Sequence, residues 1–364
     1  GSTRYFDPIC SLENEMVSMF RRVSRIACVA GLLAVTTAQP SSAVVEWELI
    51  DDSVSLGMNG VSPHVEKVAG GDRVWRSDMV PSGTAVSLCS DAGSCSTESL
   101  TFAEAGGASD FAISQTASGL RAYFKRIQMS TNTQAVYSAP CISSDCLSVG
   151  TATLASTGMR VSKDQGAWGV PDPVRLPDGR TRIYIVESPE LTTSCPEKVA
   201  SYVSADGITF TKESGWRLEG GYVDTEVLRA KDGEWLMIMA DGPGCPAGGS
   251  RKLQQLYIST STDGLSWSKP QVLTDASQGR LDPTGYEVST NVFRIYYALG
   301  GANNTFTLKR ATLRIKSTPA GSVGITTSPK ATTPASKSKT ITCVKGKTVR
   351  KVTGTTCPKG FTKK

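Results

Sequence analysis

The amino-acid sequence predicts an all-β fold, a five-bladed β-propeller of four-stranded antiparallel blades whose last blade is closed by the N-terminal strand. Three observations lead to this prediction. One motif recurs five times along the chain, each copy has the pattern of a β-hairpin, and a strand-like segment that begins at Val45 has no hairpin partner of its own. Self-similarity of this kind is typical of propellers and other repeat architectures.

The repeated motif is clearest at residues 170–186 and 223–239. Each of these copies has a short apolar strand, an Asp-Gly turn, and a second strand with alternating apolar residues, which is a hairpin pattern. A looser copy lies at 281–298, and two weaker copies lie at 62–77 and 109–125. The five copies predict the two inner strands of five blades.

The two clearest copies are followed by a third strand, a tight turn and a fourth strand. The turns have the pattern Ser-x-Asp-Gly-x-Ser/Thr-aromatic, at residues 204–210 and 261–267. This pattern resembles the Asp box of sialidases and other propeller glycosidases, in which the Asp caps the turn and the aromatic ring packs between blades. The resemblance implies structural roles for Asp206 and Asp263.

The fifth unit lacks a fourth strand after residues 306–313, whereas the segment Val45–Ile50 is a strand without a partner. Pairing the two would close the ring and remove exposed strand edges. We therefore assign residues 44–315 to the propeller.

Residues 1–43 have the pattern of upstream residues followed by a secretory signal peptide. A basic segment around Arg21 precedes an apolar run at 26–35, and small residues at Ser41 and Ala43 suit cleavage before Val44. The sequence thus predicts a secreted or cell-surface, extracytoplasmic protein, and a retained membrane anchor is the alternative.

The C-terminal region divides into a Thr/Ser/Pro/Lys-rich linker at 316–340, expected to be disordered, and a small tail at 341–364. From Lys316 onward there are eleven Lys or Arg and no acid, whereas residues 44–315 are net acidic. The tail resembles the cysteine- and lysine-rich tails of exported actinobacterial proteins. We expect it to contact an anionic cell envelope or to act only as a solubilising tail, and we expect no nucleic-acid binding.

Eight cysteines remain after the predicted leader, which in an exported protein indicates a disulfide framework. Sequence proximity places Cys89 near Cys95 and Cys141 near Cys146. Cys195 and Cys245 lie in corresponding loops of adjacent units, where a bridge between them would tie neighbouring blades together, and the pair Cys343 and Cys357 would close the tail. The sequence has no CxxC pair and a single His, so a zinc or thioredoxin-type site is not expected.

In a propeller the first strand of each blade lines the central channel, and its starting end is expected at the ligand-binding face. Four of the five units have a carboxylate at this start. The start positions are Ser62, Asp110, Asp172, Asp224 with Glu226, and Asp282. Glycoside hydrolysis needs one protonated and one ionised carboxyl group, and crowding separates their pKa values. The sequence therefore predicts that these carboxylates line one funnel-shaped site that binds carbohydrate.

Residues 44–315 resemble the five-bladed glycosidase clan of arabinanases, β-xylosidases and invertase-like fructosidases. The match rests on Asp172-Pro173, the apolar strand and Asp-Gly turn that follow, and the acidic start of unit four. It implies a glycoside hydrolase in which Asp172 orients the substrate and tunes the pKa of the acid. Glu226 or Asp224 would be the general acid.

The sequence departs from the clan in the first blade, where a base or nucleophile Asp is expected and Ser62-Pro63-His64 stands instead. Asp110 or Asp282 would then supply the base. Alternatively, the propeller is a noncatalytic carbohydrate-binding or surface-adhesion protein. A sialidase fits less well, because that family has six blades, an arginine triad and a tyrosine nucleophile.

Several other residues are candidates for contacting the sugar at the same face. Trp168 and Tyr222 precede strand starts and could serve as aromatic platforms, and residues that end second strands should reach this face too. The predicted substrate-binding residues are His64, Trp168, Tyr222, Asp282, Glu187 and Asp241. No cofactor is required by this chemistry, calcium is compatible with the channel oxygens, and a monomer is expected.

Overall fold

The computed structural model describes most of the chain between Val45 and Lys363. The described residues are 45–79, 82–128, 133–162, 170–188, 195–242, 253–316, 340–345, 348–353, 357, 359 and 361–363. The predicted leader and most of the predicted linker lie outside them. The chain divides into a unit Gly1–Glu46 and a unit Trp47–Lys364, and the strands of the described residues belong to the second.

The described residues form five antiparallel blades, and in the first four of them the chain runs from the inner strand outward. Strand β1 (Trp47–Asp51) comes first in the chain and belongs to the last blade. Blade 1 consists of β2 (Val61–Val68), β3 (Gly71–Met79), β4 (Ser82–Cys89) and β5 (Cys95–Glu98). A short parallel pair joins β6 (Thr101–Phe102) to β10 (Ser148–Val149). Blade 2 consists of β7 (Ser109–Thr116), β8 (Gly119–Gln128), β9 (Thr133–Pro140), and two short outer strands, β11 (Thr153–Leu154) and β12 (Arg160–Ser162).

The other three blades follow the same plan. Blade 3 consists of β13 (Asp172–Arg175), β14 (Thr181–Glu187), β15 (Lys198–Ser204), and the outer strands β16 (Thr211–Lys212) and β17 (Leu218–Glu219). Blade 4 consists of β18 (Tyr222–Arg229), β19 (Trp235–Asp241), β20 (Leu256–Ser261) and β21 (Gln271–Val272). Blade 5 consists of β22 (Arg280–Ser289), β23 (Val292–Gly300), β24 (Phe306–Ile315) and β1. The predicted five-bladed, all-β fold is confirmed.

The ring is closed as the sequence predicts. Strand β1 pairs antiparallel with β24, in register from Trp47 opposite Ile315 to Asp51 opposite Ala311. The Trp47 side chain is buried and its ring lies 6.0 Å from that of Phe293. The N-terminal strand therefore covers the edge that β24 would otherwise expose, and it fills the core between blades 4 and 5.

Trp47→Ala should destabilise the protein by about 3–5 kcal/mol, because it removes a buried aromatic side chain and leaves a cavity at the closure of the ring. Urea denaturation followed by far-UV circular dichroism would measure this change. Ile50→Ala is the matched control, because Ile50 lies on the same strand but is exposed. An equal effect of the two substitutions would contradict a structural role for the closing strand.

An apolar core fills each space between neighbouring blades. Between blades 1 and 2, the ring of Phe111 stacks against those of Trp75 and Phe124, with centroids 6.0 Å apart in both pairs. Two tyrosine hydroxyls also bridge blades, Tyr123 to the carbonyl of Gly207 and Tyr184 to that of Gly264, both at 2.7 Å. The aromatic residues of the second strands thus hold the ring together.

The turns that accept these tyrosine bonds are ordered by their own side chains. Asp206 Oδ1 accepts hydrogen bonds from the Ile208 N–H and the Ser204 hydroxyl, both at 2.8 Å. Asp263 Oδ1 accepts the N–H groups of Leu265 and Ser266, also at 2.8 Å. Both carboxylates are therefore committed to turn geometry.

Disulfides take the place of these turns in the first two blades. Cys89 is bonded to Cys95 and Cys141 to Cys146, and a third bridge joins Cys343 to Cys357. Cys195 is disulfide-bonded as well, and its predicted partner, Cys245, lies outside the described residues. The prediction of a disulfide-bonded protein is confirmed for the described cysteines.

The tail contains a small three-stranded sheet of its own. It consists of β25 (Thr340–Lys345), β26 (Thr348–Thr353) and β27 (Thr362–Lys363). Within the described part of the chain, no helix is long and apolar enough to cross a membrane.

Candidate active site

The inner strands of four blades begin with the same backbone irregularity. A β-bulge interrupts the pairing of β2, β7, β18 and β22 with their second strands near the start. One non-glycine residue in each bulge has a left-handed φ between 47° and 53°. These residues are Ser62, Asp110, Asp224 and Asp282. Aspartate tolerates this conformation better than most residues, which accounts for its repeated use here.

The bulges decide which of the predicted acids lie at the same level of the channel. Asp172 pairs with Tyr184, and Glu226 pairs with Ile238, the corresponding residue of blade 4. The corresponding pair in blade 1 is His64 with Trp75. Asp172, Glu226 and His64 therefore occupy one layer, two residues beyond the bulged acids. The expectation that all strand starts share one carboxylate layer is corrected accordingly.

This layer lines a cavity of about 430 Å³ along the channel, which we call the channel cavity. His64, Asp172 and Glu226 lie in its wall, together with residues from the second halves of the inner strands, as far as Val68 and Arg229. Its volume is in the range of small-molecule and oligosaccharide sites. The cavity thus extends from the acid layer toward the ends of the inner strands.

The Asp172 side chain is buried and links two blades. Its Oδ2 accepts a hydrogen bond from the backbone N–H of Val227 at 2.6 Å, and this bond links blade 3 to blade 4. Burial, followed by the nearby Glu226 carboxylate, raises the pKa of Asp172 well above its usual value, although the Val227 N–H acts in the opposite direction.

Glu226 makes the equivalent link to the next blade. Its Oε1 accepts the N–H of Gly285 and the hydroxyl of Thr284, both at 3.1 Å. Burial raises the pKa of Glu226 to about 7, against the opposing effects of the His64 charge, which is present only when the ring is protonated, and of these two hydrogen bonds. A carboxyl group with this pKa is partly protonated at neutral pH and can donate a proton within the cavity.

His64 holds the corresponding position in blade 1. Its Nε2 accepts the N–H of Ile113 at 3.3 Å, which assigns the proton of the neutral imidazole to Nδ1. The same Nε2 also lies 3.3 Å from Glu66 Oε1, a contact that would be an ion pair only for the doubly protonated ring. We assign the neutral form, because the backbone N–H needs an acceptor.

The bulged aspartates form a second group, the axial acid cluster of Asp110, Asp224 and Asp282 with Lys125. Asp110 forms an ion pair with the Lys125 ammonium, and Asp224 is hydrogen-bonded to Asp282. Asp282 Oδ2 also accepts the N–H of Ser62 at 2.8 Å, which joins blade 5 to blade 1. None of these aspartates lines the channel cavity, so the predicted catalytic residues Asp110 and Asp224 are not brought together with Glu226 there.

The Asp224–Asp282 pair has strongly perturbed protonation. Burial and then the Asp282 charge raise the pKa of Asp224 well above its usual value. Burial raises the pKa of Asp282 to about 6, although the Ser62 N–H stabilises its ionised form. Two carboxyls in contact, with Asp282 buried and Asp224 half-buried, cannot both ionise readily, so the pair holds a proton over much of the physiological pH range.

The remaining predicted substrate contacts lie elsewhere. Tyr222 packs edge-on against Tyr257, with ring centroids 5.3 Å apart, and Asp241 accepts the N–H of Gln255 at 2.7 Å within blade 4. Glu187 is turned outward, where it accepts hydrogen bonds from Tyr202 and Lys212. Trp168 lies outside the described residues. Of these candidates, the described residues Tyr222, Asp241 and Glu187 do not line the channel cavity.

The predicted site residues do not include the basic residues of the cavity wall. Lys67, Arg175 and Arg229 each follow a residue of the acid layer by three positions and line the same cavity. The signal was available, because aligning His64, Asp172 and Glu226 aligns these cations as well. It is hidden by the Asp-Pro pairs, because Asp172-Pro173 looks equivalent to Asp282-Pro283 in the sequence although Asp282 is a bulged residue.

The described residues contain no group of three or more His, Cys, Asp or Glu side chains arranged to hold a metal ion. In the axial acid cluster, the Lys125 ammonium already occupies the position beside Asp110 that a cation would favour.

The architecture and the acid-lined channel define a class of fold, the five-bladed propeller found in glycoside hydrolases. A thermostable family-43 glycoside hydrolase superposes with a TM-score of 0.54 at 12% identity, over 79% of this chain and 100% of that chain. An endo-arabinase from Bacteroides thetaiotaomicron gives a TM-score of 0.51 at 12% identity, over 74% and 99% of the two chains.

A third similar structure is the α-L-arabinanase of Cellvibrio cellulosa complexed with arabinohexaose, with a TM-score of 0.50 at 11% identity over 72% of this chain and 94% of that one. No protein-family profile matches the sequence, and no curated protein matches it. The resemblance to the arabinanase and xylosidase propellers is thus confirmed at the level of the fold.

Proposed function

We propose that this chain is a glycoside hydrolase that cleaves a polysaccharide or oligosaccharide in the channel cavity, with Glu226 as the proton donor. The observation that carries the proposal is the placement of Glu226, Asp172 and His64 at one level of three inner strands. All three line one cavity, and the Glu226 carboxyl has a pKa raised to about 7. The fold is shared with enzymes of this class.

The three groups divide the reaction among them. Glu226 gives its proton to the glycosidic oxygen as the bond to the anomeric carbon breaks, and a water molecule adds to that carbon. His64, in the position where the clan has a carboxylate base, accepts at Nε2 the proton that the water loses, and this step requires the Ile113 N–H to release its hydrogen bond to that atom. Asp172 lies next to Glu226, and the negative charge of either carboxylate opposes ionisation of the other, so the pair retains a proton for donation near neutral pH.

Export of the chain is part of the proposal. It is supported by the leader pattern of residues 1–43 and by the disulfides, which persist mainly in oxidising compartments. Sequencing the N-terminus of the protein recovered from a culture medium would test it. Cleavage before Val44 is expected, and recovery only from the cytoplasm would contradict export.

The function is tested by hydrolysis of a panel of polysaccharides and aryl glycosides by the full chain, beside Asp172→Asn and Glu226→Gln. Both substitutions keep an acceptor for the backbone N–H that the carboxyl now binds, so thermal stability near neutral pH should not fall. We expect the parent to release sugars from at least one polymer and both variants to lose this activity. Unchanged activity in both variants would contradict the assigned site.

A noncatalytic carbohydrate-binding propeller is the second candidate, favoured by one observation. Asp172 and Glu226 each hydrogen-bond to the backbone of the next blade, a contact that would also serve a purely structural role. Binding of the parent to a glycan array without any release of sugar would support this second function.

A further inference from the structure

The end of the channel cavity carries a set of cations at one level of the propeller. Three residues beyond the acid layer, the inner strands present Lys67, Gln115, Arg175, Arg229 and Glu287. The first four of these line the cavity. Blades 1, 3 and 4, which contribute His64, Asp172 and Glu226, are therefore also the blades that contribute the cations.

The cations differ in how far they are already neutralised. The guanidinium of Arg73, which also lines the cavity, forms a two-point ion pair with Glu98 at 2.5 and 2.9 Å. Lys67 lies 3.4 Å from Asp72 and 3.8 Å from Asp91. These two cations already have anionic partners within the protein.

Arg175 and Arg229 are different, because no carboxylate of the described residues lies within ion-pair distance of either guanidinium. Arg175 reaches the carbonyl of Thr116 at 3.5 Å, and Arg229 lies over the ring of Trp235, 5.9 Å from its centroid. Both arginines are exposed and belong to neighbouring inner strands. Their hydrogen-bonding capacity is therefore open to a ligand in the cavity.

The acids of the cavity wall do not cancel this charge. Glu66 and Asp145 lie on the side of blades 1 and 2, near His64 and Arg73. On the side of blades 3 and 4, the wall acids are Asp172 and Glu226, whose pKa values are raised. That side of the cavity is therefore positively charged around neutral pH.

We propose that the cavity recognises a carboxylate-bearing sugar, a uronate unit of the polysaccharide, through Arg175 and Arg229. A guanidinium presents a planar fork of N–H donors that matches a carboxylate in two-point geometry. Three residues of strand span about 10 Å, so the arginines reach a sugar next to the one whose bond Glu226 protonates. The inference rests on the proposed function and specifies its substrate class.

The inference is tested by binding rather than turnover, so that its outcome is separate from that of the hydrolase assignment. Binding of the full chain, carrying Glu226→Gln to prevent hydrolysis, is measured by calorimetry against an alginate and an oligogalacturonate oligosaccharide, their carboxyl-reduced forms, and a sulfated galactan oligosaccharide. The same ligands are then measured with Arg175→Gln, Arg229→Gln and the double variant. Arg180→Gln is the control, because Arg180 is an exposed arginine of blade 3 that is paired with Asp178.

At least one carboxylated oligosaccharide should bind, and each single substitution should weaken it about tenfold, with a larger loss in the double variant and none in the control. Reduction of the ligand's carboxyl groups should weaken its binding to the parent by a similar factor. The parent and the variants should then bind the reduced ligand with equal affinity. Equal binding of the carboxylated and reduced forms, binding that survives the double substitution, or no binding to either uronate would overturn the inference. Preferential binding of the sulfated ligand would assign the arginines to sulfate instead.

Discussion

Glu226→Gln should lower the rate of polysaccharide hydrolysis by about 10²–10⁴-fold, because the glutamine amide cannot protonate the departing sugar oxygen. The loss should depend on the leaving group. A dinitrophenyl glycoside leaves as a stable phenolate without protonation, so its bond cleavage should be almost unaffected. A substitution that merely disturbed the cavity would slow both substrates alike, which separates proton donation from a structural role.

The matched control is Glu287→Gln. Glu287 lies on the inner strand of the next blade, does not line the cavity, and accepts the N–H groups of Lys231 and Asn291. Its substitution should leave the rate on both substrates unchanged. The parent enzyme should also lose activity as the pH rises above about 7, because Glu226 then loses the proton that it must donate.

Asp282→Asn should change how stability depends on pH, because it removes one buried titrating carboxyl from the axial acid cluster. Burial raises the pKa of Asp282 from 3.8 to about 6, so the folded protein holds its proton more tightly than the unfolded chain does. The resulting stabilisation is complete below about pH 3.8 and is lost as the pH rises through about 6. The substituted asparagine cannot titrate and still accepts the N–H of Ser62.

Relative to the parent, the free energy of unfolding of Asp282→Asn should therefore rise by about 2 kcal/mol between pH 4 and pH 8. Urea denaturation at a series of pH values would measure the difference between the two proteins. Asp206→Asn is a control, because the Ile208 N–H lowers the pKa of that exposed carboxylate. Relative to the parent, the free energy of unfolding of this variant should therefore fall, not rise, with increasing pH. A difference between Asp282→Asn and the parent that is constant from pH 4 to pH 8 would show that Asp282 does not titrate with a raised pKa.

The fold was largely predictable because a propeller repeats its signals. The Asp-Gly turns, the serine-containing turns at 204 and 261, and the unpartnered strand after Val45 each correspond to a structural element. These features are local, since a turn or an alternating strand depends on neighbouring residues. The pairing of Cys89 with Cys95 was predictable for the same reason.

The site was only partly predictable, because its geometry depends on a register that the sequence does not reveal. Asp172-Pro173 and Asp282-Pro283 look equivalent in sequence. However, Asp282 lies in a bulge with a left-handed φ, whereas Asp172 lies two residues further along the equivalent strand. This difference separates the acids into two groups and places Glu226, rather than Asp224, beside Asp172. It also concealed Arg175 and Arg229.

The most direct test of the central claim is the ionisation of Glu226 in the intact protein. Carboxyl-carbon NMR of protein labelled at glutamate, with Glu226→Gln used to assign the signal, would follow the titration of this group. The account predicts a midpoint at about pH 7, as a proton donor in the channel cavity requires. A midpoint near 4.5, the ordinary value for glutamate, would contradict it, because the group would then hold no proton to donate at neutral pH.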